Sequence, residues 1–238
     1  MQENIALVTG ADRGLGFALC KELLRRGWRV YAGQFMPDWP QLIQLSEVYP
    51  GRLHFVGLDV GSPQSVAAAA HAVSATTDRI DLLVNNAGIT FAIPDRLGEP
   101  QDYASMLRMY EVNALGPIRV VDAFLPFVAR SSMKRLCFVS SEAGCITRSS
   151  RKGSYGYCMS KSALNMAVHI MFNDLRPQGY TFRLYHPGWM RTYMMGSRNT
   201  EAPLEPEDSA ARAVPFFLRK RNEDRLVMVD YDGKAWPW

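Results

Sequence analysis

Tyr157 and Lys161 stand four residues apart at the head of an apolar helical stretch (Ala163, Leu164, Met166, Ala167). That spacing places both side chains on one helix face within contact distance. A free tyrosine, with a pKa near 10, is a poor acid or base at neutral pH. An ammonium about 4 Å away at an effective dielectric near 20 is worth roughly 4 kcal/mol, or about three pKa units before screening. The expectation is a phenol drawn toward neutrality, able to give a proton to a carbonyl oxygen or take one from an alcohol. Tyr155 lacks this partner, because the residue four later is Met159. A Tyr-x3-Lys pair is also a common accident of helix surfaces, so its reading depends on the rest of the chain.

Near the N-terminus runs Thr9-Gly10-Ala11-Asp12-Arg13-Gly14-Leu15-Gly16, between a short β-branched run and a helical pattern. Gly10 and Gly14 permit a tight turn and close approach of backbone to a pyrophosphate, and Gly16 lets helix pack on strand. The positive end of the following helix would favour the same anion. A strand-to-helix turn can also need glycine for geometry alone.

Seven short apolar runs read as strands: Ile5 to Thr9, Arg29 to Gly33, Leu53 to Leu58, Leu82 to Val84, Arg135 to Ser140, Thr181 to Tyr185 and Leu226 to Val229. Between them, Leu15 to Arg26, Gln64 to Thr76, Tyr103 to Ala129, Tyr157 to Leu175 and Pro206 to Leu218 read as helices. This βαβα rhythm predicts an α/β Rossmann fold, a doubly wound seven-stranded parallel sheet with helices on both faces, as a single domain over residues 1–238. Such sheets bind ligands beyond the carboxyl ends of their strands, where the motifs fall.

The glycine spacing, Gly-x3-Gly-x-Gly after Thr9, resembles that of the classical short-chain dehydrogenase/reductase family, and the resemblance continues in order along the chain. Asp59-Val60 follows the third strand and Asn85-Asn86-Ala87-Gly88 the fourth; Asn113 lies in the long helix and Ser140-Ser141 ends the fifth strand. Tyr157-x3-Lys161 and Pro187-Gly188 with Thr192 complete the set. The resemblance implies an oxidoreductase moving a hydride between nicotinamide and a carbonyl or secondary alcohol, with Tyr157 as general acid/base. The alternative is a regulatory protein of the same fold that binds the cofactor without significant turnover. Within the family, the His186-Pro187-Gly188-Trp189 block and the terminal Asp232 to Trp238 segment look like the sniffer and C-factor-like branch of carbonyl reductases.

By the same resemblance, Gly10, Asp12, Arg13, Gly14, Leu15 and Gly16 line the pyrophosphate turn, Asp59 and Val60 hold the adenine, and Asn86, Ala87 and Gly88 form the wall of the cleft. Pro187 and Gly188 line the nicotinamide pocket, Thr192 bonds its carboxamide, and Tyr157 and Lys161 touch the cofactor. Asn-Gly-type stretches after strands also serve as plain turns, and Asp59 could merely cap the helical region near Ser62. The second strand ends Gly33-Gln34-Phe35 without the acid that would accept from a ribose 2′-hydroxyl, and Asp38 beyond it reads as a solvated turn residue. Arg13, just before a motif glycine, resembles the guanidinium that pairs with a 2′-phosphate, so NADP(H) is expected before NAD(H).

The family's catalytic serine usually lies thirteen residues before the tyrosine, which here is Gly144. Ser141 is the expected equivalent, with about three extra residues in the intervening loop. Ser140 would face the other way by strand alternation. Asn113 matches the family asparagine that kinks its helix and holds a water on a proton path to the lysine; a polar residue satisfied by backbone near Gly116-Pro117 fits the kink equally.

Tyr193 to Pro206 is expected to form a mobile substrate lid. Arg148, Arg151 and Lys152, with Arg191, are either solvated surface or a selector of anionic carbonyl substrates. Trp189, Tyr193, Met194 and Met195 suit an apolar pocket or ordinary packing.

With 238 residues, 47% of them hydrophobic, disorder is excluded. The net charge of +4 is spread along the chain, so nucleic-acid binding gets no support. No basic leader with an apolar run and no long uncharged apolar run occurs, so a cytoplasmic protein without membrane partners is expected. The four cysteines lack metal or disulfide spacing, and no metal is expected. The family resemblance implies a homodimer or homotetramer joined through the Tyr103 to Ala129 and Tyr157 to Leu175 helices.

Overall fold

The computed structural model describes residues 3–91, 96–220 and 224–238. In chain order the elements are β1 (Ile5–Thr9), α1 (Gly14–Arg25), β2 (Arg29–Gln34), α2 (Gln41–Val48), β3 (Leu53–Gly57), α3 (Pro63–Ser74), β4 (Leu82–Asn85), α4 (Tyr103–Tyr110) and α5 (Gly116–Ala129). Then come β5 (Arg135–Val139), α6 (Tyr155–Leu175), β6 (Thr181–His186), α7 (Pro206–Phe217), β7 (Met228–Asp230) and β8 (Ala235–Trp236). The strands form one sheet in the order β3-β2-β1-β4-β5-β6-β7-β8. β1 pairs in parallel with both β2 and β4, so strand order reverses there, and ligands are expected outside the carboxyl ends of these two strands.

Strand alternation divides the core between the two faces. Leu7, Leu83 and Phe138 join Phe124 of α5, Leu164 of α6 and Phe182 in one cluster. Their immediate neighbours Val8, Val84 and Cys137 join Leu19 of α1 and Phe217 of α7 in the other. Side chains apolar on both faces are what a parallel sheet covered by helices requires. Each large buried group contributes about 1.5–3 kcal/mol relative to exposure.

The sheet has eight strands instead of the expected seven. The extra one is antiparallel: Gly233, at φ +82°, turns the chain back so that Val229 pairs with Ala235 and Met228 with Trp236. The expected helix from Tyr103 to Ala129 is interrupted by a π-helical turn over Glu111–Leu115. Gly116 then packs so tightly on Val60 that a Cβ there would lie 2.9 Å from its Cγ2. Helix α2 is additional, and α6 begins two residues earlier than expected, at Tyr155, after a left-handed Ser154 at φ +64°. The stretch from Tyr103 to Ala129 is long and apolar enough to cross a bilayer by length and composition, with half of it buried against the protein's own interior.

Candidate active site

The turn from β1 into α1 is built by glycines in earnest. Gly10 adopts φ +62°, and a Cβ there would stand 2.9 Å from Ala87 Cα. A Cβ at Gly16 would collide with the Gly10 carbonyl and lie 2.6 Å from Asn86 Nδ2. Gly14, at φ +57°, faces the Thr192 methyl. Thr9 Oγ1 accepts from the Asn86 and Ala87 amides at 3.0 Å each, and Asn86 Nδ2 returns bonds to the Thr9 and Gly10 carbonyls. The wall after β4 is thus tied to the turn after β1. Arg13 occupies the N-cap of α1 without a side-chain cap bond, and no acid lies in the first turn. The leading N–H groups, including those of Leu15 and Gly16, therefore face an anion with no competing carboxylate. This cradle fits a dinucleotide pyrophosphate.

Asp12 is buried, and its carboxylate accepts from the Phe35 and Met36 amides at 3.0 and 2.7 Å. Its contribution is to clasp the turn to the end of β2. Asp59 accepts from Gly61 N at 2.8 Å and pairs with Arg108 at 3.3 Å, while Ser62 caps α3. Val60 is buried beside them. Asp38 is exposed.

Alternation at the end of β5 separates the two serines. Ser140 Oγ donates to Asn165 Oδ1 at 2.6 Å inside the core. Ser141 lies near the Tyr157 phenol, and its Oγ accepts from the Ala143 amide at 3.1 Å. At Gly144, a Cβ would come within 2.8 Å of the Lys161 carbonyl and of Asn165 Nδ2. The loop lies flat on α6 at that point, so the position thirteen before Tyr157 has no room for a serine side chain.

Lys161 is buried beneath Tyr157, its Nζ donating to the Val139 carbonyl at 3.2 Å and lying 5.8 Å from the tyrosine ring centre. Burial pulls its pKa down to about 8. Tyr157 moves opposite to the sequence expectation: burial pushes the phenol up to about 12, a rise that the nearby Ser141 hydroxyl opposes and nearby Glu142 adds to. The side chain keeps some access to solvent. Desolvation of a phenolate outweighs the help of an ammonium that is not in contact with it. The phenol is held protonated, ready to donate.

Asn113 sits in the π-helical turn, wholly buried. It accepts from Ile89 N at 2.8 Å and donates to Ile89 O at 2.8 Å and Ser160 Oγ at 3.0 Å. Both amide donors are spent joining the loop after β4 to α6, with Ile89 as the backbone partner instead of the Gly116-Pro117 region. Gly88 lies between them, with Asn113 Oδ1 and Lys161 Nζ 3.3 and 3.4 Å from where its Cβ would be.

Beyond β6, Gly188 at φ +84° is enclosed by Leu204 and Tyr231, and Ser209 Oγ donates to the Pro187 carbonyl at 2.9 Å. Met194 reaches the Gly88 side, where its Cε lies 3.7 Å from the position a Cβ would take. Arg191 braces the segment expected to form the lid, donating to Ala202 O at 2.7 Å and pairing with Glu205 at 3.2 Å. Arg148 lies over the Trp236 ring at 5.3 Å, and Arg151 pairs with Glu142. Glu142, Asn165 and Trp236 were not among the residues expected from sequence. Arg151 stands nine residues from Glu142 and Ser140 stands 25 from Asn165, and no local pattern marks the three.

The model of the short-chain dehydrogenase family matches residues 4–203. The chain belongs to that family of oxidoreductases. It is 39% identical to C-signal of Myxococcus xanthus over 169 residues, covering 71% of this chain and 99% of that protein. The crystal structure of a putative short-chain dehydrogenase/reductase from Burkholderia multivorans with bound NADP superposes with a TM-score of 0.87 at 30% identity, covering all of both chains. Carbonyl reductase Sniffer of D. melanogaster does so with a TM-score of 0.87 at 27% identity, again over the full length of both.

Proposed function

We propose that the protein is an NADP(H)-dependent carbonyl reductase, with Tyr157 as the proton donor. The carrying observation is the juxtaposition of Tyr157 with a buried Lys161, whose Nζ lies 5.8 Å from the phenol ring centre, and with the nearby Ser141 hydroxyl, at the carboxyl edge of the sheet and beside the glycine turn. The main chain at Gly10, Gly14, Leu15 and Gly16 would hold the pyrophosphate, with Arg13 taking a 2′-phosphate and Thr192 the far end. Bound there, the reduced nicotinamide supplies a hydride to the carbonyl carbon. Tyr157 gives its proton to the carbonyl oxygen, and Ser141 orients that oxygen and stabilises the developing charge. Lys161 places a positive charge beneath the phenol. Asn113 positions α6 through Ser160.

The substrate class follows from occupied charges. Arg151 is paired with Glu142 and Arg191 with Glu205, while Arg148 lies over Trp236 and Lys152 is exposed; with two of the four charges neutralised, a neutral carbonyl compound is favoured over an anionic one. Arg151→Ala is expected to leave the KM ratio between an anionic and a neutral ketone unchanged; a selective rise for the anionic one would reverse this reading.

Tyr157→Phe should abolish NADPH oxidation with a ketone panel while leaving the Kd for NADPH as it was. Retained turnover would sink the mechanism. The name of the 39% identical relative, C-signal, points to signalling and so keeps a second reading, a cofactor-binding regulatory protein of the same fold without significant turnover. The intact Ser141, Tyr157 and Lys161 set weighs for catalysis. We also propose self-association through the exposed apolar face of α4, α5 and α6, with the partner a second copy of this chain.

A further inference from the structure

Arg13 is held on three sides. Its guanidinium carbon lies 4.8 Å from the centre of the Trp39 ring and 5.7 Å from that of Tyr193, and its Nη2 donates to the Tyr193 carbonyl at 3.1 Å. The two rings meet edge to face at 5.2 Å. Two segments remote in sequence thus close on the cation at the head of α1: the loop after β2 and the start of the lid. Trp39 is itself anchored, its Nε1 donating to Gln41 Oε1 at 3.1 Å and its amide to the Met36 carbonyl at 3.2 Å. Among the described residues Arg13 makes no ion pair.

We infer that Trp39 and Tyr193 are positioning residues for recognition of a ribose 2′-phosphate, and that through Tyr193 this phosphate is sensed by the lid. The inference rests on the reading of Arg13 as the 2′-phosphate partner. A guanidinium has five in-plane donors; one reaches Tyr193, its carbon lies over both rings, and the remaining donors suit a phosphate. Holding a long side chain in place beforehand removes the ordering cost that binding would otherwise carry. Because coupling between sites is reciprocal, a ligand that fixes Arg13 also steadies Tyr193. The lid carries its own reporters: Gly196 N donates to Tyr193 O at 3.0 Å and Asn199 N to Thr192 O at 2.9 Å.

Adenosine 2′,5′-bisphosphate and adenosine 5′-monophosphate differ only in the 2′-phosphate and do not reach the reacting end of the site. Calorimetric titration of both into the wild type, Trp39→Ala, Trp39→Phe, Tyr193→Ala and Arg13→Ala separates the contributions. Trp39→Ala and Tyr193→Ala are expected to narrow the preference for the bisphosphate about two- to fivefold, the range of a partly exposed cation–π contact. Trp39→Phe should fall between, and unchanged monophosphate affinity in each variant shows that the fold is intact. Exchange of the Gly196 and Asn199 amides should slow with the bisphosphate in the wild type and not in Trp39→Ala. The inference is overturned if Arg13→Ala narrows the preference while Trp39→Ala and Tyr193→Ala leave it whole, or if both nucleotides slow the amides alike. Should Arg13→Ala itself leave the preference whole, the phosphate reading of Arg13 fails first, and the inference with it.

Discussion

The Lys161 ammonium is buried against a single carbonyl, and burial lowers its pKa to about 8 from an ordinary 10.5. The folded state therefore disfavours the charged form, and between about pH 8 and 10.5 the unfolded chain binds one more proton at this site. Stability should accordingly rise with pH across that window, by on the order of 3 kcal/mol for this group. At pH 7 the same burial is a standing cost. Lys161→Met is expected to be inactive yet more stable than wild type at pH 7, with the difference vanishing toward pH 10.5 in urea melts; a less stable variant at pH 7 would refute the assignment. For reduction, kcat/KM should decline above about pH 8 as Lys161 loses its charge, while Tyr157, pushed up to about 12, stays protonated throughout. Ser141→Ala should lower kcat by about a hundred- to thousandfold, as loss of an oxyanion donor does. Moving the serine to the family's usual place, as Ser141→Ala with Gly144→Ser, should not restore it, because a side chain at 144 meets the α6 backbone. Recovered activity in the double variant would show that the loop can lift.

The loop between β5 and α6 is longer than the family spacing implies, and the C-terminal segment straps it down. The Trp238 carbonyl accepts from the Thr147 amide at 3.0 Å and from its hydroxyl. Trp238 meets His169 of α6 edge on at 5.9 Å, and Trp236 Nε1 donates to Asp230 Oδ2 at 2.9 Å. Truncation after Lys234 is therefore expected to free residues 145–154, so that trypsin cuts at Arg148, Arg151 and Lys152 sooner than in the full chain. Equal cleavage rates in a mass-spectrometric time course would show that the strap is idle. Neither β8 nor α2 was legible in the sequence, for identifiable reasons. Two residues are too few to show alternation, and α2 starts after Pro40 with no capping side chain and only Leu42 and Leu45 buried. The π-helical turn showed in the sequence only as the kink expected at Asn113, since Glu111–Leu115 keeps the helical pattern on either side. What could be read was where the candidate residues stand, Gly10 and Ser141 just beyond strand ends and Tyr157 in the first turn of α6. The Tyr157 shift could not, since desolvation depends on everything packed around the phenol and not on the spacing to Lys161.

At the scale of the molecule, β1 and β4 at the reversal of strand order bring the glycine turn, Ala87, Gly88 and Lys161 to one edge, so a single chain supplies the whole candidate site. Its opposite concern is the outer face of α4, α5 and α6. Leu107, Ile118, Met166 and Ile170 are all exposed there, and a groove of about 330 Å³ runs between Tyr110, Ile118 and Ile170. Helix α6 buries Leu164, Val168 and Phe172 on its inner side while showing methionine and isoleucine on its outer side, so it is apolar nearly all round. A surface helix of a lone domain is normally polar on its outer face, and a contiguous apolar patch marks an interaction site. Two copies related by a twofold axis would each cover the other's groove, because an isologous contact pairs a patch with itself. Met166→Glu with Ile170→Glu places two charges on that face without touching Tyr157, Lys161 or the glycine turn. Sedimentation is expected to give twice the chain mass for wild type at micromolar concentration, and the single chain mass for the double variant. Since every residue named in the candidate site comes from one chain, kcat for ketone reduction should survive the dissociation. A wild type that sediments at the single chain mass would refute self-association through this face.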